Sequence, residues 1–150
     1  MIDTVEGAPA GQPQKIMHSM IRVGDLARSL AFYVDRLGMR MLRRADFPQG
    51  RFSIAMVGYG MEETTAVLEL THNWDTPSYD IGGGFGHVAL ATSDIYALCR
   101  RLESEGVKIM RPPGPMKGGP TIAFLQDPDG YRIELIEVDA AHPLGRYADA

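Results

Sequence analysis

One pattern is written twice in this chain, and it restricts the fold more than any other feature. HSMIRVGDLARSLAFYVDRLGMRML begins at His18, and HVALATSDIYALCRRLESEGVKIM begins at His87. In each copy a histidine opens an apolar strand, and an aspartate follows seven residues later, at Asp25 and Asp94. An aspartate there can cap a helix by accepting a hydrogen bond from a free backbone N–H of the first turn. Apolar residues then recur at helical spacing: Leu26, Leu30, Tyr33 and Leu37 in one copy, Ile95, Leu98, Cys99 and Leu102 in the other. Each run stops at a glycine, Gly38 or Gly106, suited to a left-handed C-terminal cap. Each copy finishes on an apolar strand with a carboxylate in its middle: AVLELTH with Glu69 and YRIELIEV with Glu134.

The His-to-Glu separations are 51 and 47 residues. Matching order and near-matching spacing point to duplication of one βαβββ unit. RFSIAMVGY and TIAFLQ supply further strands, and DPDG at 127–130 is a hairpin turn before the last one. The expected fold is α+β: two tandem βαβββ modules, 16–72 and 86–138, forming curved eight-stranded sheets and joined by the turn-rich linker 73–85. Residues 1–15 lack an apolar h-region, so they read as a flexible tail and not as a secretory signal. Residues 139–150 read as a second, poorly fixed tail.

Composition narrows the function. With 150 residues, 45% hydrophobic and 23% charged, the chain suits one compact domain with a real core. A net charge of −4 argues against nucleic acid as a partner, because phosphates need a basic face. A small anion held by a few local cations is still allowed. Cys99 is the only cysteine, which rules out an intrachain disulfide and fits a reducing compartment, the cytoplasm. No apolar run approaches a membrane span.

Strand alternation sorts the candidate site residues. His18, Met20 and Arg22 share one face of the first strand; Glu69, Thr71 and Asn73 share a face of theirs. Glu134 alternates with Ile133 and Leu135, which would bury on the helix side. A charge in the middle of an apolar strand is costly unless something positive meets it. A lone strand histidine is ordinarily a hydrogen-bonded core residue, and a lone strand glutamate ordinarily faces solvent. Repetition of both changes the weighing. His18, Glu69, His87 and Glu134 would together make an N₂O₂ set for a divalent cation, which also relieves the repulsion of two carboxylates. Imidazole with carboxylate suits nickel, cobalt, iron or zinc better than calcium or magnesium. His72 alternates away from Glu69 and reads as surface or structural, His142 lies in the tail, and Cys99 reads as core.

Several stretches then carry a family resemblance. His18-x₃-Arg22-Val-Gly-Asp25, FY-x₃-LGM at 32–39, VGYG at 57–60, LELTHNW at 68–74, GFGH at 84–87 and FLQDPDGYRIEL at 124–135 closely resemble glyoxalase I (lactoylglutathione lyase). That is a family of the vicinal-oxygen-chelate superfamily, and the likeness spans residues 16–138 and favours the short bacterial form. The resemblance implies isomerisation of the glutathione–methylglyoxal hemithioacetal to S-lactoylglutathione through an enediolate. It implies nickel as the activating metal, with cobalt or zinc as alternatives, on His18, Glu69, His87 and Glu134. Glu134 matches the main catalytic base, with Glu69 facing it across the metal as a candidate for the opposite stereoisomer. Arg22, Asn73, Arg111 and Lys117 match the positions that contact glutathione, whose two carboxylates suit charge-assisted hydrogen bonds. For Arg111 and Lys117, ordinary solvated loop cations are the competing reading. Gly83 departs from the pattern, since some relatives carry arginine four residues before the second histidine. The resemblance also implies a homodimer in which each metal is shared between the first module of one chain and the second module of the other.

Three alternatives stay open at this point. An extradiol dioxygenase would use two histidines and one carboxylate, which leaves Glu69 unexplained. A superfamily epimerase is chemically nearer, because it too makes an enolate. A drug-binding module would need no metal set.

Overall fold

The computed structural model describes residue 7 and residues 9–148. Parts of both expected tails, residues 1–6, 8 and 149–150, lie outside the described residues. Two compact units divide the chain, Met1–Tyr79 and Asp80–Ala150. The first contains β1 (His18–Arg22), α1 (Leu26–Leu30) running into a π-helical turn (Ala31–Arg36), β2 (Arg40–Phe47), β3 (Phe52–Gly58) and β4 (Val67–Asn73). Its sheet has the order β1-β4-β3-β2, with β1 parallel to β4 and the other pairs antiparallel. The second contains β5 (His87–Thr92), α2 (Ile95–Ser104), β6 (Lys108–Pro115), β7 (Thr121–Gln126) and β8 (Arg132–Glu137). Its sheet repeats the scheme as β5-β8-β7-β6, again with only the first pair parallel. The eight strands therefore form two mixed sheets of four, the α+β arrangement that the duplicated pattern predicts.

The caps fall where the aspartates and glycines require. Asp25 Oδ1 accepts from the Arg28 N–H at 3.0 Å, and Asp94 Oδ1 from the Ala97 N–H at 2.9 Å. Gly38 and Gly106 take φ values of 74° and 84°, the left-handed region that a side chain resists. α1 lies against β4, and α2 lies against β6, β7 and β8. Ile95, Leu102, Leu125 and Ile133 are fully buried in the second unit, as are Val57 and Leu70 in the first. Each such side chain contributes roughly 1.5–3 kcal/mol by leaving water.

The first helix departs from its expected form. Gly38 follows Asp25 by 13 residues, whereas Gly106 follows Asp94 by 12. The extra residue is absorbed by the π turn, in which the Leu37 N–H donates to the Phe32 carbonyl five residues back. The buried face is widened beyond the regular apolar stripe: Ser29 and Phe32 are buried beside Leu26, Tyr33 and Leu37, while Leu30 is half-exposed. The loop between β3 and β4, residues 59–66, is three residues longer than its counterpart at 127–131. These two insertions account for the difference between the 51- and 47-residue His-to-Glu separations.

Beyond β8 the chain turns back onto the second unit. The Asp139 carboxylate accepts from the Ala141 and His142 N–H groups, and the His142 ring holds it below the usual carboxylate range. Gly145 (φ 96°) lies so close to Ile136 and Pro120 that a Cβ would come within 3.0 Å of each. The Ala148 N–H donates to the Gly118 carbonyl at 3.0 Å. Among the described residues, no helix is long and apolar enough to cross a membrane.

Candidate active site

The two parallel strand pairs set the same geometry twice. In the first unit, Glu69 on β4 lies opposite Met20 on β1, and His18 lies opposite Val67, two residues before the glutamate. In the second, Glu134 lies opposite Ala89, and His87 lies opposite Arg132. Histidine and glutamate thus share a face one pleat apart. The His18 Nε2 to Glu69 Oε2 and His87 Nε2 to Glu134 Oε2 distances are both 2.9 Å. Both carboxylates are the deeper partners, with side chains 18% and 15% exposed against 36% and 41% for the imidazoles. Ile133 and Leu135, the neighbours of Glu134, are buried on the opposite face.

A 2.9 Å separation is within hydrogen-bond distance for imidazole and carboxylate. It also suits two adjacent corners of an octahedral cation site, since ligands about 2.1 Å from an ion at right angles stand about 3 Å apart. The donors therefore fit a borderline divalent metal in kind and in spacing. Each unit supplies one nitrogen and one oxygen donor. Among the described residues, no group of three or more His, Cys, Asp or Glu side chains is placed to hold a metal ion within the chain.

Rows of cross-strand partners extend from each carboxylate. In the first sheet the row is Arg43, Met56, Glu69, Met20; in the second it is Arg111, Phe124, Glu134, Ala89. Arg43 Nε donates to both Glu62 carboxylate oxygens, at 3.1 and 2.9 Å, and this pairing raises the guanidinium pKa. Among the described residues, Arg111 makes only a long contact, from Nη2 to the Pro115 carbonyl at 3.5 Å. The Phe124 ring stands edge-on to the His87 imidazole, centroids 5.4 Å apart. Thr71 Oγ1 donates to Glu69 Oε1 at 3.1 Å.

The other expected site residues are distributed between the two units. Arg22 ends β1, exposed and opposite Thr71, on the face that carries Glu69. Asn73 ends β4, and its Nδ2 donates to the Tyr79 hydroxyl at 2.9 Å. Lys117 lies in the exposed turn between β6 and β7. His72 turns away from Glu69, its Nδ1 3.0 Å from the Val23 carbonyl, which ties β4 to the residue following β1. Cys99 is buried, and burial pushes its thiol pKa up, as befits a core residue.

This geometry has relatives. Residues 15–135 match the model of the Glyoxalase/Bleomycin resistance protein/Dioxygenase superfamily. The chain belongs to that superfamily. A lactoylglutathione lyase from Neisseria meningitidis is 53% identical over 124 residues, 82% of this chain and 90% of that protein. The crystal structure of glyoxalase I from Zea mays superposes with a TM-score of 0.79 at 48% identity. The match covers 82% of this chain and 44% of the maize chain, so this chain spans under half of its length. The trypanothione-dependent glyoxalase I of Leishmania major superposes with a TM-score of 0.76 at 40% identity, over 83% of this chain and 87% of that one.

Within this glyoxalase-superfamily chain, two neighbours of the histidine–glutamate pairs, Thr71 and Phe124, and two partners of nearby residues, Tyr79 and Glu62, are not fixed by a reading of the sequence. Thr71 was legible as a residue on the face of Glu69, but the direction of its hydroxyl was not. Phe124 follows from the pairing of β7 with β8, which the sequence does not number. The Tyr79 contact to Asn73 and the Glu62 contact to Arg43 depend on the conformation of irregular segments. No periodic signal announces either.

Proposed function

We propose that the chain is a glyoxalase I, a lactoylglutathione lyase converting the hemithioacetal of glutathione and methylglyoxal to S-lactoylglutathione. The observation that carries the reading is the repeated pair: one imidazole and one carboxylate at 2.9 Å, built identically in two units. High identity to proteins named for this reaction supports it. A divalent metal, nickel with cobalt or zinc as alternatives, would be held by His18, Glu69, His87 and Glu134, and would supply Lewis acidity to the substrate oxygens. Since each unit carries half of the set, the reading includes a homodimer in which one copy's first unit completes the other copy's second.

The residues then have distinct tasks. Glu134 removes the proton from the carbon bearing sulfur and returns it to the adjacent former carbonyl carbon, so no atom is gained or lost. Glu69 holds its place opposite and neutralises charge. Arg22, Asn73, Arg111 and Lys117 bind the glutathione portion, the cations meeting its carboxylates. Arg111 is suited to that task because its one contact among the described residues is long, whereas its counterpart Arg43 is already matched by Glu62. A reducing cytoplasm, rich in thiol, is the compartment that fits.

The test is product formation by metal-free protein given nickel, cobalt or zinc in turn, with glutathione and methylglyoxal. Activity absent without metal and restored by nickel supports the reading. Thioester formed by none of the loaded forms would overturn it.

A further inference from the structure

The two carboxylates of the duplicated pair are not equivalent. Glu69 is held at both oxygens: Oε2 lies 2.9 Å from His18 Nε2, and Oε1 accepts the Thr71 hydroxyl at 3.1 Å. Thr71 follows two residues later, on the same face of β4, and is itself 8% exposed. In β8 the residue two after Glu134 is Ile136, which has no hydroxyl. Glu134 Oε2 meets His87 Nε2 at 2.9 Å, and among the described residues its Oε1 has no hydrogen-bond partner. That oxygen is not sealed off either, because no buried side-chain oxygen lacks a partner among the described residues.

We propose that Thr71 is a positioning residue that commits Glu69 to the role of fixed ligand, while Ile136, in the matching place, leaves Glu134 free to carry the proton. The inference rests on the glyoxalase I reading. A carboxylate that shuttles a proton between two carbons must rotate and must offer an unoccupied oxygen. Glu134 offers such an oxygen, whereas the second oxygen of Glu69 already accepts a hydrogen bond inside the sheet face. A partner hydrogen-bonded to a metal-binding carboxylate orients it, and removing such a partner typically weakens metal binding by about 10- to 100-fold. The duplicated scaffold thus divides its labour through one hydroxyl present in one half and missing from the other.

The experiment pairs nickel affinity, measured by competition with a chromophoric chelator, with turnover at nickel saturation. It uses the full chain as wild type, Thr71→Val, Thr71→Ser and Ile136→Thr. Valine keeps the β-branched shape and removes the hydroxyl, and serine keeps the hydroxyl. Thr71→Val should weaken nickel binding about 10-fold while saturated turnover stays within about 3-fold, and Thr71→Ser should restore most of the affinity. Ile136→Thr should lower saturated turnover about 10-fold with no loss of nickel affinity, because it gives Glu134 the restraint that Glu69 carries. Thr71→Val and Ile136→Thr both with wild-type affinity and wild-type turnover would overturn the inference, even with the wild type active. Should Thr71→Val fail to fold, an Ile136→Thr enzyme with unimpaired turnover overturns it alone. A wild type that binds no nickel and makes no thioester overturns the parent reading, and this one with it.

Discussion

His87 Nε2 stands 2.9 Å from Glu134 Oε2, and the imidazole is braced by the edge-on Phe124 ring. The glutamate projects from a strand whose adjacent residues, Ile133 and Leu135, are buried on the far side. Its position is thus fixed by the core, while its second oxygen has no hydrogen-bond partner among the described residues.

Glu134→Gln tests the base directly. The amide keeps the shape and one oxygen donor but cannot accept and return a proton. Turnover of the metal-loaded variant should fall about 10³-fold, within the range expected for loss of a general base, while nickel still binds. Near-normal turnover with metal bound would remove Glu134 from that role.

The helix caps should contribute independently of the chemistry. Asp25→Ala and Asp94→Ala each remove a single acceptor for an orphan N–H, at 3.0 and 2.9 Å respectively. Each should cost about 1 kcal/mol in urea unfolding. The two losses should be of similar size, because the repeat uses each aspartate in the same way. A loss in one and none in the other would contradict that equivalence.

Gly83 offers a gain-of-function test. A Cβ there would meet nothing within 4 Å, so a side chain is accommodated without strain. Gly83→Arg should leave thermal stability unchanged and lower the KM for the hemithioacetal about 10- to 100-fold, the worth of one charge-assisted hydrogen bond. An unchanged or raised KM would show that no substrate carboxylate passes this turn.

Cys99 supplies a check on the core. Burial disfavours the thiolate and raises the thiol pKa, so the reactive form is scarcer at neutral pH than in a free cysteine. A thiol reagent should label Cys99 only after denaturant is added. Rapid labelling of the native protein would mean that α2 does not bury its stripe.

The paired aspartates, glycines, histidines and glutamates made both sheets legible, because each residue type has a local physical reason to recur at its place. The exceptions are equally physical. The π turn at Ala31–Arg36 arises from one additional residue, which averaging over a helical period conceals although the aspartate-to-glycine spacing contains it. Neutralisation of Arg43 required Glu62, carried on the longer 59–66 loop, whose path no periodicity encodes. The fold-back of residues 139–148 rests on Gly145 and on backbone bonds such as Ala148 to Gly118, which leave no compositional trace. The restraint on Glu69 was half visible, since alternation placed Thr71 beside it but could not aim the hydroxyl.

The central claim is that both histidine–glutamate pairs serve one cation. X-ray absorption at the nickel edge of the loaded protein counts the imidazoles around the metal. Two imidazole nitrogens per nickel, with the remaining ligands oxygen, is the predicted result. A single imidazole, or a shell of oxygen alone, would contradict it.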